Sequence, residues 1–430
     1  MNYQETIDYL FTKLPMYSRT GAAAYKSSLD NIIALCSVLG NPQNKFASIH
    51  IAGTNGKGSV SNMLSAIFQT AGYKTGIHTS PHLKDFRERI KINNDFVSKE
   101  FVIDFTNKIK KIIIEIEPSF FEISVAMAFD YFAQQQVDIA IIETGLGGRL
   151  DSTNIINPQL SIITNIGWDH MDLLGNTLEK IATEKAGIIK KETPIVIGEY
   201  DETTKPVFIN KASTEKADIY YSSDVWKISG LHNSLEKLEF TASSKNKTYK
   251  ISSDLNGNYQ EKNIITVLEA IQVLQKKGWN IVDDQITNAL SKVKKLTGFK
   301  GRWDILRKSP LIIADVAHNI NGIALVLQQI KQINYSTLHI ITGMVKDKDI
   351  EKVLSLFSTN ATYYFTQANI PRALDKELLR EKALAFNLQG STFNNVNDAI
   401  KKAISVSNKN DLILICGSIF LVAEIDDATI

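Results

Sequence analysis

Cysteine, net charge and long apolar runs are all scarce in this sequence, and each scarcity excludes a class of protein. The two cysteines, Cys36 and Cys416, lie far apart in apolar stretches, so we expect buried free thiols and no disulfide framework. The 48 lysines and arginines nearly balance the 46 acidic residues, for a net charge of +2. This balance gives no reason to expect a nucleic acid or an anionic membrane as a partner.

The chain also has no segment that predicts insertion into a membrane or secretion. No apolar stretch is long enough to span a bilayer, and the N-terminal string MNYQETIDYLF lacks the basic and apolar regions of a signal peptide. We therefore predict a cytoplasmic protein. Its 430 residues, 44% hydrophobic and 22% charged, are typical of a soluble protein with two domains. No apolar surface stripe is evident, which favours a monomer.

The string GTNGKGS at residues 53–59 is the most informative motif in the chain. It follows an apolar run at 46–52 and precedes a helical apolar pattern that starts near Ser59 and ends at Gly72. A strand, a glycine-rich turn and a helix in this order predict a phosphate-binding loop. The usual pattern has glycine where this sequence has Ile51, so the loop is a variant.

Each residue type in the loop suits a nucleoside triphosphate. Gly53, Gly56 and Gly58 are expected to let the backbone approach an anion without a side chain in the way. Lys57 is placed to meet the terminal phosphates, and Ser59 to give a hydroxyl to the magnesium ion that the nucleotide carries. The alternative is a plain glycine-rich turn, which would not explain the lysine and the serine.

Strand-like and helix-like segments alternate from residue 46 to about 300, which predicts a mostly parallel sheet covered on both faces. The predicted strands are 48–52, 137–143, 160–165 and 194–198, and the predicted helices include 119–134, 177–189 and 263–276. Segment 216–253 differs, because its short alternating runs at 238–242 and 249–252 predict a small antiparallel patch.

A second alternating series follows a polar, basic stretch at 292–300 and predicts a smaller doubly wound domain. Its predicted strands are 311–315, 338–343, 362–366 and 412–416, and its predicted helices are 322–332, 375–386 and 396–406. The predicted fold class is therefore α/β, a P-loop-type mostly parallel domain followed by a Rossmann-like domain. The boundary is expected near 296–302, which divides the chain into 1–297 and 298–430.

Polar residues at the predicted strand ends are candidates for binding, since ligands of such sheets lie there. Glu143 ends an apolar strand beside a glycine run, which favours a magnesium ligand over a capping carboxylate. Ser80 and Ser59 offer hydroxyl ligands. On residue type alone, His170 is a hydrogen-bonded structural histidine, and Lys185 is a solvated lysine on a helix face.

Three residues extend the candidate site beyond the predicted boundary. Arg302 carries the planar guanidinium that pairs with phosphate. Asp315 and His318 follow a predicted strand and are candidates for holding ribose or phosphate. Together they predict a nucleotide bound between two lobes.

The ordered set of motifs resembles the folylpolyglutamate synthases, whose bacterial forms are also dihydrofolate synthases and which belong to the Mur ligase superfamily. The matching strings follow the family's order from about residue 15 to the C-terminus: HIAGTNGKGSV, TSPHL, FRERI, ETGLGGRLDSTN, NIGWDHMDLLG, EKAGIIK, GRW, DVAHN and GMVKDKD. No single string is decisive, but the ordered set is highly specific. The resemblance implies an ATP-dependent ligase that joins L-glutamate to dihydropteroate or a reduced folate through an acyl phosphate.

The resemblance also implies roles for the matching residues. The triphosphate would be held by Gly53, Thr54, Asn55, Gly56, Lys57 and Gly58. One magnesium would be bound by Ser59, Ser80 and Glu143, and a second by His170 and by Lys185 as a carbamate. A carbamate forms only on a neutral amine, and a free lysine has a pKa of about 10.4, so the site must favour loss of the proton.

Further nucleotide contacts are implied on both sides of the predicted boundary. Asn263 resembles the asparagine that contacts adenine, Arg302 the arginine that binds phosphate, and Asp315 the aspartate that contacts ribose. His318 resembles a residue near the phosphates and the incoming glutamate. The family often has a histidine at the position of Tyr259, so the sequence departs from the pattern there.

Substrate contacts are implied in both halves of the chain. Asp151 resembles the residue that contacts the pterin ring, and segment 17–26 resembles a loop that covers it. Ser418 resembles part of the glutamate pocket, and Arg372 is a candidate for the glutamate or the folate tail, with an exposed ion pair as the alternative. Enzymes that only lengthen polyglutamate tails often carry tyrosine where this sequence has Leu150, so we predict both activities.

Three other functions stay open at this point. The first is folylpolyglutamate synthase activity alone. The second is a peptidoglycan-type Mur ligase, although such enzymes carry a uridine-nucleotide domain before the ATP loop and only a short segment precedes Gly53 here. The third is a nucleotide-gated binding module that hydrolyses ATP slowly.

Overall fold

The computed structural model describes residues 1–16 and 28–430. The helices, in chain order, are α1 (Tyr3–Lys13), α2 (Asp30–Val38), α3 (Lys57–Thr70), α4 (Lys99–Ile116), α5 (Phe120–Gln134), α6 (Met171–Leu174), α7 (Leu178–Ala186), α8 (Lys205–Glu215), α9 (Ser222–Val225), α10 (Gln260–Lys276), α11 (Asp283–Leu290), α12 (Val293–Thr297), α13 (Ile320–Ile330), α14 (Ile350–Leu354), α15 (Lys376–Leu384), α16 (Val396–Val406) and α17 (Ile419–Ala423). None of the helices in these ranges is long and apolar enough to cross a membrane.

The strands form three sheets. In chain order they are β1 (Ala47–Ala52), β2 (Thr75–His78), β3 (Ile90–Ile92), β4 (Asp95–Phe96), β5 (Ile139–Glu143), β6 (Leu160–Ile163), β7 (Ile195–Ile197), β8 (Ile219–Tyr221), β9 (Lys227–Asn233), β10 (Leu238–Ser243), β11 (Thr248–Ser253), β12 (Asp304–Lys308), β13 (Leu311–Ala314), β14 (Leu338–Thr342), β15 (Thr362–Phe365), β16 (Gly390–Thr392) and β17 (Leu412–Cys416).

The first sheet has eight strands in the order β4-β3-β2-β5-β1-β6-β7-β8. The six strands from β2 to β8 run parallel, and only the β3 and β4 edge is antiparallel. Strand β5 shows why both faces are covered: Ile139 and Ile141 pack with α3 and α10, while Ala140 and Ile142 pack with α4 and α5. The prediction of a mostly parallel sheet is confirmed, with the antiparallel edge as an addition.

The antiparallel patch is a separate three-stranded sheet in the order β11-β10-β9. In β10, Leu238, Phe240 and Ala242 are buried and belong to the same apolar core as α10, because alternate residues of a strand share one face. The predicted patch began too early, at 216, because β8 pairs with β7 in the parallel sheet.

The second large sheet has six strands in the order β12-β13-β17-β14-β15-β16. All pairs are parallel except β12 with β13, which confirms a smaller doubly wound unit. Strands β12 and β16 were not predicted. Both are short edge strands without a fully buried residue, so neither is a continuous apolar run.

The stretch between the two large sheets contains a helical turn as well as a linker. Residues 293–297 form α12, and the chain then passes Gly298 (φ 63°) and Gly301 (φ 87°), conformations that glycine adopts at little cost. Trp303 also has a positive φ and is buried. The two cysteines are buried and free, as predicted.

Candidate active site

The loop at 53–59 joins the carboxyl end of β1 to the start of α3, at the centre of the first sheet. Two of its glycines have positive φ, 152° at Gly53 and 84° at Gly56. A Cβ at Gly53 would lie 1.8 Å from Thr164 Oγ1, and one at Gly56 would lie 2.3 Å from Asn263 Oδ1. These glycines are therefore required by neighbouring side chains as well as by any anion. Gly58 has only ordinary contacts, 3.5 Å to the Phe299 ring at the nearest.

The middle of the loop is fastened to the segment after β6. The Thr54 amide donates to the Asn165 carbonyl at 3.0 Å, and the Asn55 amide donates to Asn165 Oδ1 at 2.9 Å. The Thr54 hydroxyl accepts from the Gly167 amide at 2.9 Å. Parallel strands bring their carboxyl ends to one edge, so β1 and β6 build this part of the site together.

Two lysines converge on the first carbonyl of the loop. Lys57 Nζ donates to the Gly53 carbonyl at 3.0 Å, and Lys185 Nζ, from α7, donates to the same oxygen at 2.9 Å. Burial lowers the pKa of Lys57, against the opposing effect of Glu143. Two lysine side chains thus meet on one carbonyl beside the backbone of the glycine-rich loop, an arrangement that suits a polyphosphate.

Lys185 is buried, so the interpretation of a solvated helix-face lysine is wrong. Burial, and then the charge of Lys57, lower the pKa of Lys185 to about 7. Helix α7, which carries Lys185, packs closely against Gly148. A Cβ at Gly148 would lie 2.8 Å from the Glu184 carbonyl, so only glycine permits this approach. The glycine run after β5 thus lets α7 approach, a close packing that could not be read from spacing alone.

Glu143 ends β5 and is 5% exposed. Burial raises the pKa of its carboxyl to about 7, while the charges of Lys57 and Arg302 and a hydrogen bond from the Ser80 backbone oppose the rise. The carboxyl lies beside the loop, since its Oε2 would be 3.8 Å from a Cβ on Gly58. Ser59, buried in the first turn of α3, accepts a hydrogen bond from Gln260 Nε2 at 3.2 Å.

Asp169 connects the two lobes and was not singled out from the sequence. Its side chain forms an ion pair with Lys348, Oδ2 accepts from Asn319 Nδ2 at 3.2 Å, and His318 Nε2 lies 3.5 Å from the same oxygen. All three partners follow strands of the second sheet. Burial would raise the pKa of Asp169, but the hydrogen bond from His318 and the positive charge of Lys348 hold it well below the usual value.

A second contact between the lobes involves the phosphate loop itself. Asn319 Nδ2 donates to Asn55 Oδ1 at 3.0 Å, and Asn55 Nδ2 donates to Asn319 Oδ1 at 3.4 Å. This reciprocal amide pair places the start of α13 directly against residues 53–59. The prediction that Asp315 and His318 extend the site from the second half agrees with this geometry.

The two predicted site histidines flank Asp169. His170 has a positive φ of 51°, and its backbone amide donates to Asp169 Oδ1 at 2.9 Å. Burial, and then the Lys348 charge, lower the pKa of the His170 imidazole to about 3, so the ring is neutral near pH 7. His318 Nδ1 lies 3.0 Å from the Val316 carbonyl.

The predicted nucleotide contacts lie around the start of α10. Asn263 Nδ2 donates to Gln260 Oε1 at 2.8 Å, and its own oxygen faces Gly56 in the loop. Asp315 follows β13, is buried, and accepts from the Tyr259 hydroxyl at 2.9 Å. Arg302 Nη1 donates to the Gly301 carbonyl at 3.1 Å.

The predicted pterin contact, Asp151, is 3% exposed and holds its own loop in place. Oδ2 accepts from the Leu146 amide at 2.8 Å, while Oδ1 accepts from the Thr153 amide at 3.0 Å and the Thr153 hydroxyl at 2.5 Å. The loop predicted to cover a pterin, at 17–26, lies outside the described residues.

The two predicted substrate residues of the second lobe lie on loops at the carboxyl ends of parallel strands. Ser418, after β17, caps α17 and accepts from the Phe420 amide at 3.2 Å. Arg372, after β15, forms a two-pronged ion pair with Asp347, with Nη2 2.5 Å from Oδ2. Arg372 is therefore ion-paired, as the alternative held, but the pair is not exposed, because the side chains of Arg372 and Asp347 are only 11% and 26% accessible.

Divalent metal ions fit the donor chemistry of this site. Among residues 1–16 and 28–430, no three His, Cys, Asp or Glu side chains converge as a ready-made metal cluster. Magnesium needs few protein ligands when it arrives with a nucleotide, and it prefers oxygen. Ser59, Ser80 and Glu143 offer hydroxyl and carboxylate oxygens beside the loop. At a second position, the lowered pKa of Lys185 favours the neutral amine from which a carbamate forms, next to the neutral His170 ring.

Comparison with known proteins agrees with this geometry. Residues 51–271 match the Mur ligase middle domain, and residues 301–419 match the Mur ligase glutamate ligase domain. The Bacillus subtilis dihydrofolate synthase/folylpolyglutamate synthase is 33% identical over 412 residues, covering 93% of this chain and 94% of the relative. The chain belongs to the folylpolyglutamate synthase/dihydrofolate synthase family of Mur ligases.

Solved structures of the folylpolyglutamate synthase/dihydrofolate synthase family extend the match to the whole fold. The Mycobacterium tuberculosis folylpolyglutamate synthase complexed with ADP has a TM-score of 0.89 at 29% identity, covering 98% of this chain and 96% of that one. A bifunctional folylpolyglutamate synthase/dihydrofolate synthase with Mn, AMPPNP and L-glutamate bound has a TM-score of 0.83 at 27% identity, covering 98% and 97%. The predicted fold class is confirmed.

Family membership also confirms the predicted enzyme class. The chain is an ATP-dependent ligase that forms an amide bond with glutamate, and ATP and a divalent metal are its cofactors. A peptidoglycan-type ligase and a nucleotide-gated binding module are set aside, because the match to a folate ligase runs along nearly the whole chain.

Proposed function

We propose that this ligase has both activities of its bacterial relatives, joining glutamate to dihydropteroate and adding glutamate to reduced folates. The observation that carries the proposal is the amide pair between Asn55 and Asn319. It brings the second lobe against the phosphate loop, where an ATP-activated acid and an amino acid must meet. Leu150 and the name of the Bacillus subtilis relative support the double activity.

The proposed reaction begins with attack of the substrate carboxylate on the γ-phosphate, which gives an acyl phosphate and ADP. The α-amine of glutamate then attacks the acyl carbon, phosphate leaves, and the amine loses a proton. Lys57 and Arg302 offset the negative charge that spreads over the transferred group. Well-oriented reactants lower the barrier by about 7–11 kcal/mol, so holding the lobes together at Asp169 contributes directly to the rate.

The residues that would hold the nucleotide and the metal ions are those that the sequence predicted. Gly53–Ser59 would hold the triphosphate, with Asn263 at the adenine and Asp315 at the ribose. A bound divalent cation supplies charge neutralisation at the phosphates. Ser59, Ser80 and Glu143 would hold one ion, and His170 with carbamylated Lys185 a second. Asn263 packs against Gly56, which supports a place for it near the phosphates as well.

The substrate contacts proposed in the second lobe share one edge of its sheet. His318 would face the incoming glutamate, Ser418 would form part of its pocket, and Arg372 would exchange Asp347 for a substrate carboxylate. In the first lobe Asp151 would meet the pterin ring. Its three hydrogen bonds from the chain fix its position, and carboxylate oxygens accept more than one donor.

The domain division, the compartment and the oligomeric state are also proposals. We place an ATP-binding domain at 1–297 and a glutamate-binding domain at 298–430, which the positive φ at Gly298 and the family matches on either side support. The balanced charge and the need for ATP support a cytoplasmic monomer that acts on small molecules and binds no nucleic acid or membrane. Size-exclusion chromatography with light scattering tests the monomer.

Separate substrates test the double activity. Dihydropteroate and tetrahydrofolate are each supplied with ATP, magnesium and glutamate, and the ligated products are measured by mass spectrometry. We expect product from both. Product from tetrahydrofolate alone would support the narrower folylpolyglutamate synthase activity and overturn the proposal.

A further inference from the structure

Tyr259 crosses from one lobe to the other at the nucleotide side of the site. It precedes α10 in the first lobe, and its hydroxyl donates to Asp315 Oδ2, in the second lobe, at 2.9 Å. Burial, and then the negative charge of Asp315, raise the pKa of Tyr259 well above 10. The phenol therefore keeps its proton and acts as the donor.

The ring of Tyr259 has a fixed place because residue 257 is glycine. A Cβ at Gly257 would lie 2.4 Å from Cζ and 2.9 Å from the hydroxyl oxygen of this ring. Real side chains do not approach so closely, so the ring rests directly on the Gly257 backbone. The turn before α10 is thus shaped to hold a large aromatic side chain pointing at Asp315.

Asp315 has two further donors, and both belong to the backbone of its own lobe. The Trp303 amide donates to Oδ2 at 2.9 Å, and the Ala317 amide donates to Oδ1 at 2.8 Å. Tyr259 is therefore the donor that ties the orientation of this carboxylate to the first lobe. A carboxylate has about four lone-pair positions, so these three donors fix its orientation and leave one position, on Oδ1, facing a fixed direction.

The residue after Tyr259 makes the matching contact on the phosphate side. Gln260 donates to the Ser59 hydroxyl at 3.2 Å and accepts from Asn263 at 2.8 Å. The start of α10 thus contacts the phosphate loop through Gln260 and Asp315 through Tyr259. One helix end therefore contacts both the group that would hold the phosphates and the group that would hold the ribose.

We propose that Tyr259 is a positioning residue for the nucleotide, holding the Asp315 carboxylate so that its remaining acceptor position receives a hydrogen bond from a ribose hydroxyl. The proposal rests on the ribose role proposed above for Asp315. Tyr259 would thereby favour a ribonucleotide over an analogue without ribose hydroxyls. It would act only by orienting the Asp315 carboxylate, which makes the contact with the ribose.

The test compares ATP with 2′,3′-dideoxyATP in the Tyr259→Phe variant. We expect kcat/KM for ATP to fall about tenfold, the size of one well-placed hydrogen bond, and kcat/KM for the dideoxy analogue to stay unchanged. The preference for ATP, which is the ratio of kcat/KM for ATP to kcat/KM for the dideoxy analogue, should therefore fall by the same factor. Tyr249→Phe is the matched control, because the Tyr249 hydroxyl, on β11, donates to Asp283, at the start of α11, at 2.8 Å, and neither residue is assigned to the nucleotide. It should leave the preference as it is.

Asp315→Asn separates failure of this inference from failure of the ribose assignment. If Asp315→Asn narrows the preference and Tyr259→Phe does not, the inference is overturned and the ribose assignment stands. If Asp315→Asn leaves the preference intact, both are overturned. Equal losses for the two nucleotides in Tyr259→Phe would mean that the tyrosine only supports the fold, which also overturns the inference. Thermal melting of each variant confirms that it is folded.

Discussion

His50 is a fully buried histidine in the middle of β1. Its Nε2 lies 2.8 Å from the Thr153 hydroxyl, which itself donates to Asp151. His50 Nε2 must therefore carry the proton. Its Nδ1 has no hydrogen-bond partner among the described residues. Burial, and then the charge of Lys190, lower the pKa of His50 to about 3, so the folded chain holds this ring neutral.

The expected consequence is a loss of stability in mild acid. Below its ordinary pKa of about 6.5, His50 binds a proton in the unfolded chain but not in the folded one, so stability falls as the pH drops from 6.5 towards 3. Between pH 7 and pH 5 this residue alone should remove about 2 kcal/mol. We expect urea denaturation to show that the free energy of unfolding of His50→Gln falls by about 2 kcal/mol less between pH 7 and pH 5 than that of the unaltered chain.

The control for this measurement is His232→Gln, because His232 lies exposed on β9. It should leave the pH dependence of stability unchanged. An identical pH dependence in His50→Gln and the unaltered chain would contradict the account of His50 as a ring kept neutral by burial.

The role of a single residue could be predicted where the residue belongs to a recognisable motif. It could not be predicted where the role depends on a contact with a residue distant in the sequence. Lys57, Glu143 and Lys185 stand in strings with a chemical signature, and they converge around Gly53. Asp169 and Lys348 also stand in matching strings, NIGWDHMDLLG and GMVKDKD, but a charge in a sequence does not reveal which opposite charge it meets. The string GMVKDKD contained Lys348, but its ion pair with Asp169 spans 179 positions.

The phosphate loop shows how an element depends on backbone freedom. Gly56 has a φ of 84°, and an added Cβ would lie 2.3 Å from Asn263 Oδ1. Gly72, which ends α3, has a similar φ of 91° and no atom within 4 Å of an added Cβ. An alanine at either position would therefore adopt an unfavourable left-handed backbone conformation. Only the alanine at position 56 would also collide with a neighbouring side chain.

Gly56→Ala and Gly72→Ala form a matched pair of variants. Each should lose about 1–2 kcal/mol of stability from the left-handed conformation of alanine. Gly56→Ala should also lose on the order of 100-fold in kcat/KM for ATP, since the loop must shift away from Asn263 and small displacements at a reacting centre have effects of this size. Gly72→Ala should keep its kcat/KM for ATP. Equal kinetics in the two variants would contradict the assigned role of the loop.

Elements were predictable where periodicity was long enough to be read. Helix α16 has the predicted bounds, 396–406, and each strand that was predicted is found within one or two residues of its predicted position. Strands β2, β3, β4, β12 and β16, which were not predicted, are two to five residues long. A strand of that length gives too few alternations to distinguish it from a loop, and its pairing depends on a neighbour elsewhere in the chain.

The two lobes are held together by contacts on two sides of their interface. On the side of the phosphate loop, the contact includes an ion pair. Asp169 and Lys348 pair across the lobes with side chains only 9% and 8% exposed. On the other side, Asn258 Nδ2 donates to Gln332 Oε1 at 2.9 Å and its amide donates to Gln329 Oε1 at 2.9 Å. The sequence predicted two lobes from two alternating series, but neutral amides and single charges gave no signal for this interface.

Removing one member of the buried pair should weaken the whole molecule. Lys348→Ala leaves Asp169 buried without its lysine, and breaking such a pair costs about 3 kcal/mol. Lys352→Ala is the control, because Lys352 pairs with Asp349 within one lobe and is 66% exposed; it should cost less than about 1 kcal/mol. Differential scanning calorimetry measures both. Equal, small effects would contradict a buried pair that links the lobes.

The most direct test of the central claim follows one oxygen atom through the reaction. The substrate carboxylate is labelled with ¹⁸O, and the enzyme turns over ATP, glutamate and dihydropteroate. Because the carboxylate attacks the γ-phosphate and phosphate leaves only when the amine arrives, we predict one ¹⁸O in each phosphate released, measured by mass spectrometry. Unlabelled phosphate, released at the same rate with or without glutamate, would contradict activation of the acid between the two lobes.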